Sequence, residues 1–362
     1  MRLQPPPPKK PRPGILHEYA DRLVAFEYCS GDRIKPHTLL FIGGLGDGLG
    51  TVSYLDDIVA ALVDSDWSVF SPVMTSSYGG WGTSGLGRDI EEIARCVEYI
   101  LQYKRQSHSD RQPGSASGKV VIMGHSTGSQ DVLLYISASN PRIAIPDHGL
   151  QNGGLPRVRP QVDGAVMQAP VSDRQAIQSV LQEGTGRHNP AQMQEIYNRA
   201  IARAKRRTFE EYDGLDTIVP LPVTASIGYP STTAISSRRF LSLASPDSPR
   251  APGEDDLFSS DLGAERLRKT FGMVHGRGVL RKSRSLLVLY SGSDPSVPEC
   301  VDKEGLMQRW QMVTDAEHGY WHGQSGVIPG ASHTMEGPRQ VQQRGILVRK
   351  LRTFLADIES GG

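Results

Sequence analysis

With 362 residues, 38% of them apolar and 22% charged, the chain is long enough for one large α/β domain or two small ones. A formal net charge of +1 gives no electrostatic case for nucleic acid as a partner. No apolar run approaches the ~20 residues of a membrane helix, the first residues lack the apolar segment of a secretory signal, and a soluble cytoplasmic protein with no membrane partner is expected.

Residues 1–14 are rich in proline and lysine or arginine and read as an extended, solvated tail, with a polyproline ligand or a basic targeting signal as the alternatives. Leu23–Tyr28 reads as a strand, and Thr38–Ile42 as a second one that ends in the glycine-rich run Gly43–Gly50. That run fits no Gly-x-Gly-x-x-Gly register and no Gly-Lys-Ser/Thr follows, so the phosphate-cradle reading is not supported. A loop in this place supplies an oxyanion donor in hydrolases built on a nucleophile elbow, and by position the Leu45 N–H is the candidate; a flexible turn is the alternative.

Leu55, Ile58, Val59 and Leu62 recur at helical spacing, and Ser68–Val73 is the next strand. The polar loop 74–84 follows at that strand's carboxyl end, where an open parallel sheet carries its ligand crevice. Tyr78 and Trp81 are therefore candidate pocket walls, although an aromatic anchoring its own loop fits the same pattern. Ile90, Ile93, Val97, Ile100 and Leu101 mark an amphipathic helix whose first turns hold Asp89, Glu91 and Glu92, carboxylates that suit the helix dipole. Residues 102–118 read as a polar surface linker.

The chain is organised around the stretch that comes next. Val120–Met123 is a buried strand; it runs into Gly124-His125-Ser126-Thr127-Gly128, and Asp131–Ile136 continues as a helix. Strand before and helix after are the context that a Gly-x-Ser-x-Gly nucleophile elbow requires. The turn is tight enough to force Ser126 into a strained backbone conformation, and Gly124 and Gly128 remove Cβ atoms that would collide with neighbouring backbone. The Ser126 hydroxyl would stand at the sheet's carboxyl edge, and the Thr127 N–H at the helix start would be a second oxyanion donor.

After the glycine- and proline-rich loop 140–161, Val162–Met167 is another strand. The βα rhythm then breaks over residues 170–284, with helical patterns at Ile177–Leu181, Met193–Ala204 and Leu262–Phe271; this segment reads as a largely helical cap inserted between late strands. Residues 15–169 and 285–362 would form the core. The rhythm resumes with Leu286–Tyr290, which ends in Ser291-Gly292-Ser293-Asp294-Pro295, a carboxylate where a triad's orienting acid belongs. His333 follows a last short strand, and a helix from about Gln340 to Ile358 closes the chain. The order Ser126, Asp294, His333 is that of α/β-hydrolases.

Rivals exist for each partner. His125 leaves the elbow in another direction and reads as structural; Asp302 and Asp315 lack the strand-end position. His318 and His322 are four apart but have no third ligand, and the three scattered cysteines (Cys29, Cys96, Cys300) show no disulfide or metal-ligand spacing, so neither metal nor cofactor is expected. Cys96 falls in a helical pattern and belongs to the core.

Four segments, Phe41–Gly48, Gly124–Asp131, Gln168–Arg174 and Asp255–Leu262, resemble a largely fungal family of cytosolic α/β-hydrolases that includes siderophore esterases acting on fusarinine-type hydroxamates. The likeness runs from about residue 15 to 358, and its last two segments are the more diagnostic. It implies a mostly parallel sheet flanked by helices, a triad on Ser126, Asp294 and His333, and hydrolysis of a ferric or iron-free hydroxamate ester that releases iron inside the cell. Glu254, Asp255 and Asp256 would then face the substrate's amino groups, or else form a solvated acidic loop. Two alternatives stay open: another acyl hydrolase (lipase, thioesterase or peptidase), and a non-catalytic binding protein that keeps the fold.

Overall fold

Apolar runs bounded by glycine, proline and polar turns alternate with amphipathic stretches through most of the chain, and the computed structural model turns that alternation into strands and helices. It describes residues 11–28, 33–109, 118–140, 158–209, 216–281, 283–317 and 319–361. In order come β1 (Gly14–Ala20), β2 (Leu23–Tyr28), β3 (His37–Ile42), α1 (Leu55–Ala61), β4 (Trp67–Val73), α2 (Leu86–Ser109), β5 (Val120–His125), α3 (Thr127–Ser137) and β6 (Gly164–Gln168). The chain then leaves the sheet for α4 (Asp173–Glu183), α5 (Pro190–Phe209), β7 (Ile218–Val219), α6 (Leu221–Ser226), β8 (Ile235–Ser236), α7 (Ser237–Ala244) and α8 (Ala264–Lys269). It returns through β9 (Leu286–Ser291), α9 (Lys303–Thr314), β10 (Gly326–Ile328) and α10 (Val341–Ser360).

Eight strands form one sheet in the order β1-β2-β4-β3-β5-β6-β9-β10, and β7 pairs with β8 separately. The β1–β2 and β2–β4 pairs are antiparallel and every other pair in the large sheet is parallel. Alternate side chains of each inner strand enter opposite cores, as the strand period of two requires. Ile122 and Met167 pack with α2, α3 and α9 on one face, whereas Val121, Met123 and Val166 pack with α1 and α10 on the other.

The segment between β6 and β9 holds its own cluster, built on Ile177, Met193, Ile227, Phe240 and Leu243. Leu257, Phe258, Leu267, Phe271 and Leu280 instead join the core beneath the sheet. Val162 donates to Val279 and accepts from Arg281, so the chain lies back beside β6 before Ser285 is reached. Within the stretch 170–284, the part with a core of its own closes near Ala244, and the remainder packs into the core of the sheet.

Two further expectations change. Residues 102–109 continue α2 instead of forming a linker; Lys104 is buried there and donates to Glu27 at 2.8 Å, while 110–117 lie outside the described residues. The tail is shorter than 14 residues, because Arg12 is bound to both Asp56 carboxylate oxygens, at 2.5 and 2.7 Å, and Gly14 opens β1. Residues 1–10 lie outside the described residues, as do 141–157 of the expected loop. Cys96 is buried in α2, where the apolar surroundings raise its thiol. No helix among the described residues is long and apolar enough to cross a membrane.

Candidate active site

β5 ends in a turn that only this spacing of glycines permits. Ser126 has φ +57° and ψ −120°, a conformation that costs a non-glycine residue of order 1–3 kcal/mol. A Cβ on Gly124 would sit 1.9 Å from the Gly128 carbonyl oxygen, and one on Gly128 would sit 2.4 Å from that of Ile42. Gln168, at the end of the adjacent β6, holds the turn by accepting the Ser126 N–H at 3.0 Å on its backbone oxygen. Ser129 Oγ donates to that oxygen at 2.9 Å. The Ser126 hydroxyl is thereby presented at the carboxyl edge of the sheet, above the first turn of α3.

Its partners arrive on two neighbouring loops. β10 lies beside β9, and beyond their last pair the Gly292 N–H donates to Ile328 O and the Ser293 N–H to Ala331 O. These bonds bring the loop carrying Asp294 against the loop carrying His333. His333 Nε2 lies 2.9 Å from Ser126 Oγ and His333 Nδ1 lies 2.6 Å from Asp294 Oδ2. The other Asp294 oxygen accepts the Ser296 N–H at 2.9 Å, and the carboxylate is fully enclosed. Gln340, just ahead of α10, secures the histidine loop by accepting from Ser332 N and donating to Gly330 O.

The glycine-rich loop approaches Ser126 closely: a Cβ on Gly44 would lie 3.2 Å from its Oγ. Asp47 Oδ2 accepts the Gly44 N–H at 2.8 Å, and Leu45, the next residue, lines the cavity beside it. Thr127 opens α3 opposite it. A cavity beside these two is walled by Trp81, which is buried and packs against Tyr229 of the insert. Tyr78 is instead half exposed and braces its neighbours: its hydroxyl accepts the Leu49 N–H at 2.9 Å and its N–H donates to Asp47 O. Of the two aromatic candidates, Trp81 lines the cavity and Tyr78 anchors the loop.

The acidic run is a clasp. Asp255 is ion-paired with Arg239 and accepts from Ser242, and Asp256 accepts from Ser248 and Ser259 and is ion-paired with Arg174, whose Nε lies 3.1 Å away and donates to Ser259 Oγ. Both are buried with their oxygens held by these side chains, and neither lines the cavity beside Ser126. Arg174 also pairs with Asp261, Ser172 Oγ lies 2.6 Å from Ser259 Oγ, and Gln175 exchanges bonds with Ser260. The segment leaving β6 and the segment 255–262 are thus bound side chain to side chain. Glu254 lies against Gly85 and Gly87 at the start of α2, where the helix dipole favours a carboxylate.

A family model described as a protein of unknown function, DUF1749, matches residues 1–356. The chain belongs to that family. Esterase AN6793 of Emericella nidulans is 66% identical over 99% of this chain and 96% of its own length. Fusarinine C esterase sidJ of Aspergillus fumigatus is 48% identical over 96% and 97%. Among solved structures, the siderophore hydrolase EstB from Aspergillus fumigatus superposes with a TM-score of 0.84 at 47% identity, over 97% of this chain and 99% of that one. A monoglyceride lipase from Saccharomyces cerevisiae, at 12% identity and a TM-score of 0.55, shares the fold alone. This DUF1749 protein is an α/β-hydrolase in fold and a carboxylic ester hydrolase, and the resemblance to fungal hydrolases that include siderophore esterases is borne out.

The rival residues of the DUF1749 chain are otherwise engaged. His125 Nδ1 lies 2.6 Å from Gln168 Oε1, which also accepts from Tyr54 at 2.7 Å, and its ring packs 5.0 Å from that of His333. Burial, reinforced by His333, pushes His125 down to about 4 and keeps it neutral. Asp302 caps α9 by accepting the Gly305 N–H, and Asp315 accepts from Tyr320 and Trp321. His322 is held by Asp357 at 3.0 Å, while His318 lies outside the described residues. Among the described residues no three His, Cys, Asp or Glu side chains are grouped to hold a metal.

Three cavity residues escaped the sequence reading. Asp89 looked like a dipole-facing carboxylate but is buried and faces the cavity; Asp131 of α3 and Arg239 of α7 join it there. For Asp131 a signal existed, since an aspartate in a helix buried along nearly its whole length needs a reason. Arg239 carried none, because its place depends on how the insert folds back.

Proposed function

We propose that this ester hydrolase works by serine acyl transfer with Ser126 as nucleophile. His333 takes the hydroxyl proton as Ser126 attacks the ester carbonyl, then gives it to the departing alcohol. Asp294 holds the imidazole and stabilises the imidazolium. The N–H groups of Leu45 and Thr127 receive the oxyanion, and one such donor contributes roughly 10²–10³ in turnover. Water, activated by the same histidine, then resolves the acyl-enzyme. The observation that carries this reading is the unbroken chain from Ser126 Oγ through His333 to Asp294.

The proposed substrate is a hydroxamate siderophore of the fusarinine type, ferric or iron-free, whose ester cleavage in the cytoplasm frees the iron it carries. Support comes from sidJ and EstB, each covered almost end to end at 48% and 47% identity. The free thiols of Cys96 and Cys300 suit a reducing compartment. The insert between β6 and β9 serves as the cap. In Ser126→Ala, turnover of fusarinine-type esters is expected to fall by at least about 10⁴ with the thermal midpoint preserved. Turnover of ferric and iron-free hydroxamate esters is measured beside that of simple aryl esters; a fully active purified variant removes Ser126 from the mechanism, and equal rates on all esters remove the siderophore assignment.

A further inference from the structure

Beneath the serine and its histidine lies a polar group that the proposed mechanism leaves idle. His125, Gln168 and Tyr54 are each buried. The Gln168 side-chain oxygen takes two bonds, from the Tyr54 hydroxyl at 2.7 Å and from His125 Nδ1 at 2.6 Å, while its Nε2 donates to Ser291 Oγ at 3.3 Å. A carbonyl oxygen can only accept, so the proton of the neutral His125 ring stands on Nδ1. Tyr54 also packs edge-on against that ring, at 5.6 Å between centroids and 81° between planes. The ring is thus fixed in place, in plane and in proton position. A phenylalanine would fill the same space without a buried amide and hydroxyl to satisfy, and such groups are costly wherever a bond is missing. The arrangement calls for a reason.

What the pinned ring touches supplies one. Its centroid lies 5.0 Å from that of His333, with the planes at 46°. His333 stands on an irregular loop with its side chain 20% exposed. Its bonds to Ser126 and Asp294 fix two points of the imidazole and leave a tilt about the line between them. A rigid neighbour packed against the ring removes that tilt. The neighbour must also be neutral, because His333 gains a positive charge as it takes the serine proton. Gln168 serves both members of the pair: its backbone oxygen accepts the Ser126 N–H at 3.0 Å, and its side chain holds the ring that backs His333.

We propose that His125 is a positioning residue for His333, and that Gln168 acts through it as the pin that sets its ring. The role rests on the serine-esterase reading above and adds to it two residues, outside the triad, on which the rate of attack depends.

Diisopropyl fluorophosphate tests both readings with one probe. Ser126 Oγ bonds to phosphorus, fluoride leaves and His333 takes the hydroxyl proton. The mass of the labelled peptide therefore reports the nucleophile, and the first-order rate constant at a fixed reagent excess reports how well the base is placed. Misfolded molecules lower the labelled fraction and leave that constant unmoved, so a role in folding alone does not change it. His125→Ala is expected to slow labelling by about 30-fold or more, since a misplacement of about 1 Å at a reacting centre can lose about 10²-fold. His125→Phe restores a ring without its pin and is expected to label at least about fivefold faster than His125→Ala. Gln168→Leu is expected to slow labelling by about fivefold when His125 is present and by less than about twofold when His125→Ala is already in place. With Ser126 still labelled, a constant within about threefold of wild type in His125→Ala, a His125→Phe no faster than His125→Ala, or an equal effect of Gln168→Leu in both backgrounds overturns the positioning role alone. A wild-type protein that is not labelled at Ser126 takes the serine-esterase reading and the positioning role down together.

Discussion

Asp294 is oriented from two directions, by His333 on one carboxylate oxygen and by the Ser296 N–H on the other. An asparagine there keeps the shape but offers an N–H₂ or a neutral oxygen to the imidazole, which loses its proper tautomer. Asp294→Asn is therefore expected to lower kcat by about 10⁴ with KM changed no more than about threefold, and steady-state kinetics on any cleaved ester checks it. A kcat within tenfold of wild type would mean that another group orients His333. At this scale the sequence was most legible where residue type and strand end coincide, as at Ser126, Asp294 and His333. It misled where charge was visible and partners were not. Glu254, Asp255 and Asp256 look like a solvent-facing acidic run, yet Arg239, Ser242, Arg174 and Ser259 come from elsewhere in the chain to enclose the last two.

Arg174 shows what an element boundary can carry. It stands in the first turn of α4, just past β6, and binds both Asp256 and Asp261 while itself almost fully buried. Removing one partner of a buried ion pair costs about 3–5 kcal/mol, because the remaining charge is left without compensation. Arg174→Met is expected to destabilise the protein by that amount in urea unfolding and to speed proteolysis between β6 and β9; an unchanged midpoint would show that the serine hydroxyls alone satisfy Asp256. Long periodic helices and the inner strands were readable because period and burial agree. β1 was missed because Ile15 and Leu16 point outward and only His17 and Tyr19 turn in. The start of α9 carries a legible signal, Asp302 capping the amide of Gly305 ahead of Leu306, Met307 and Trp310, and this role as a cap replaces its reading as a rival catalytic acid. β7, β8 and α6 are too short for any period to show, and their conformation follows from packing within the insert.

The whole molecule carries its buried acids at a pH-dependent cost. Asp173, held by Gln130 at 2.8 Å, is raised to about 6, chiefly by burial and then by Asp255. A folded-state value above the unfolded one means that the folded chain keeps a proton the unfolded chain has released between pH 4 and 6. The associated stability is present in acid and is lost as pH rises through 6. Asp173→Asn removes the penalty, so it is expected to stabilise the protein by about 1–3 kcal/mol at pH 8 and by little at pH 4. Urea midpoints at the two pH values check this, and a variant less stable than wild type at pH 8 contradicts it. The fold class, the parallel sheet and the interruption after β6 could all be read from the rhythm of the chain. That this interruption rejoins the main core well before Ser285 could not, since Leu257 and Phe271 look alike whichever core receives them.

Ser126, Asp294 and His333 all stand on stretches that the large sheet supports, and the insert reaches them only through neighbours such as Trp81. Arg174, Ser172 and Gln175 rivet the start of the insert to segment 255–262, so what is threaded between them can lengthen, shrink or be exchanged while the proposed cutting machinery beneath stays put. On the proposed reading, such a layout would let one blade be fitted with different guards.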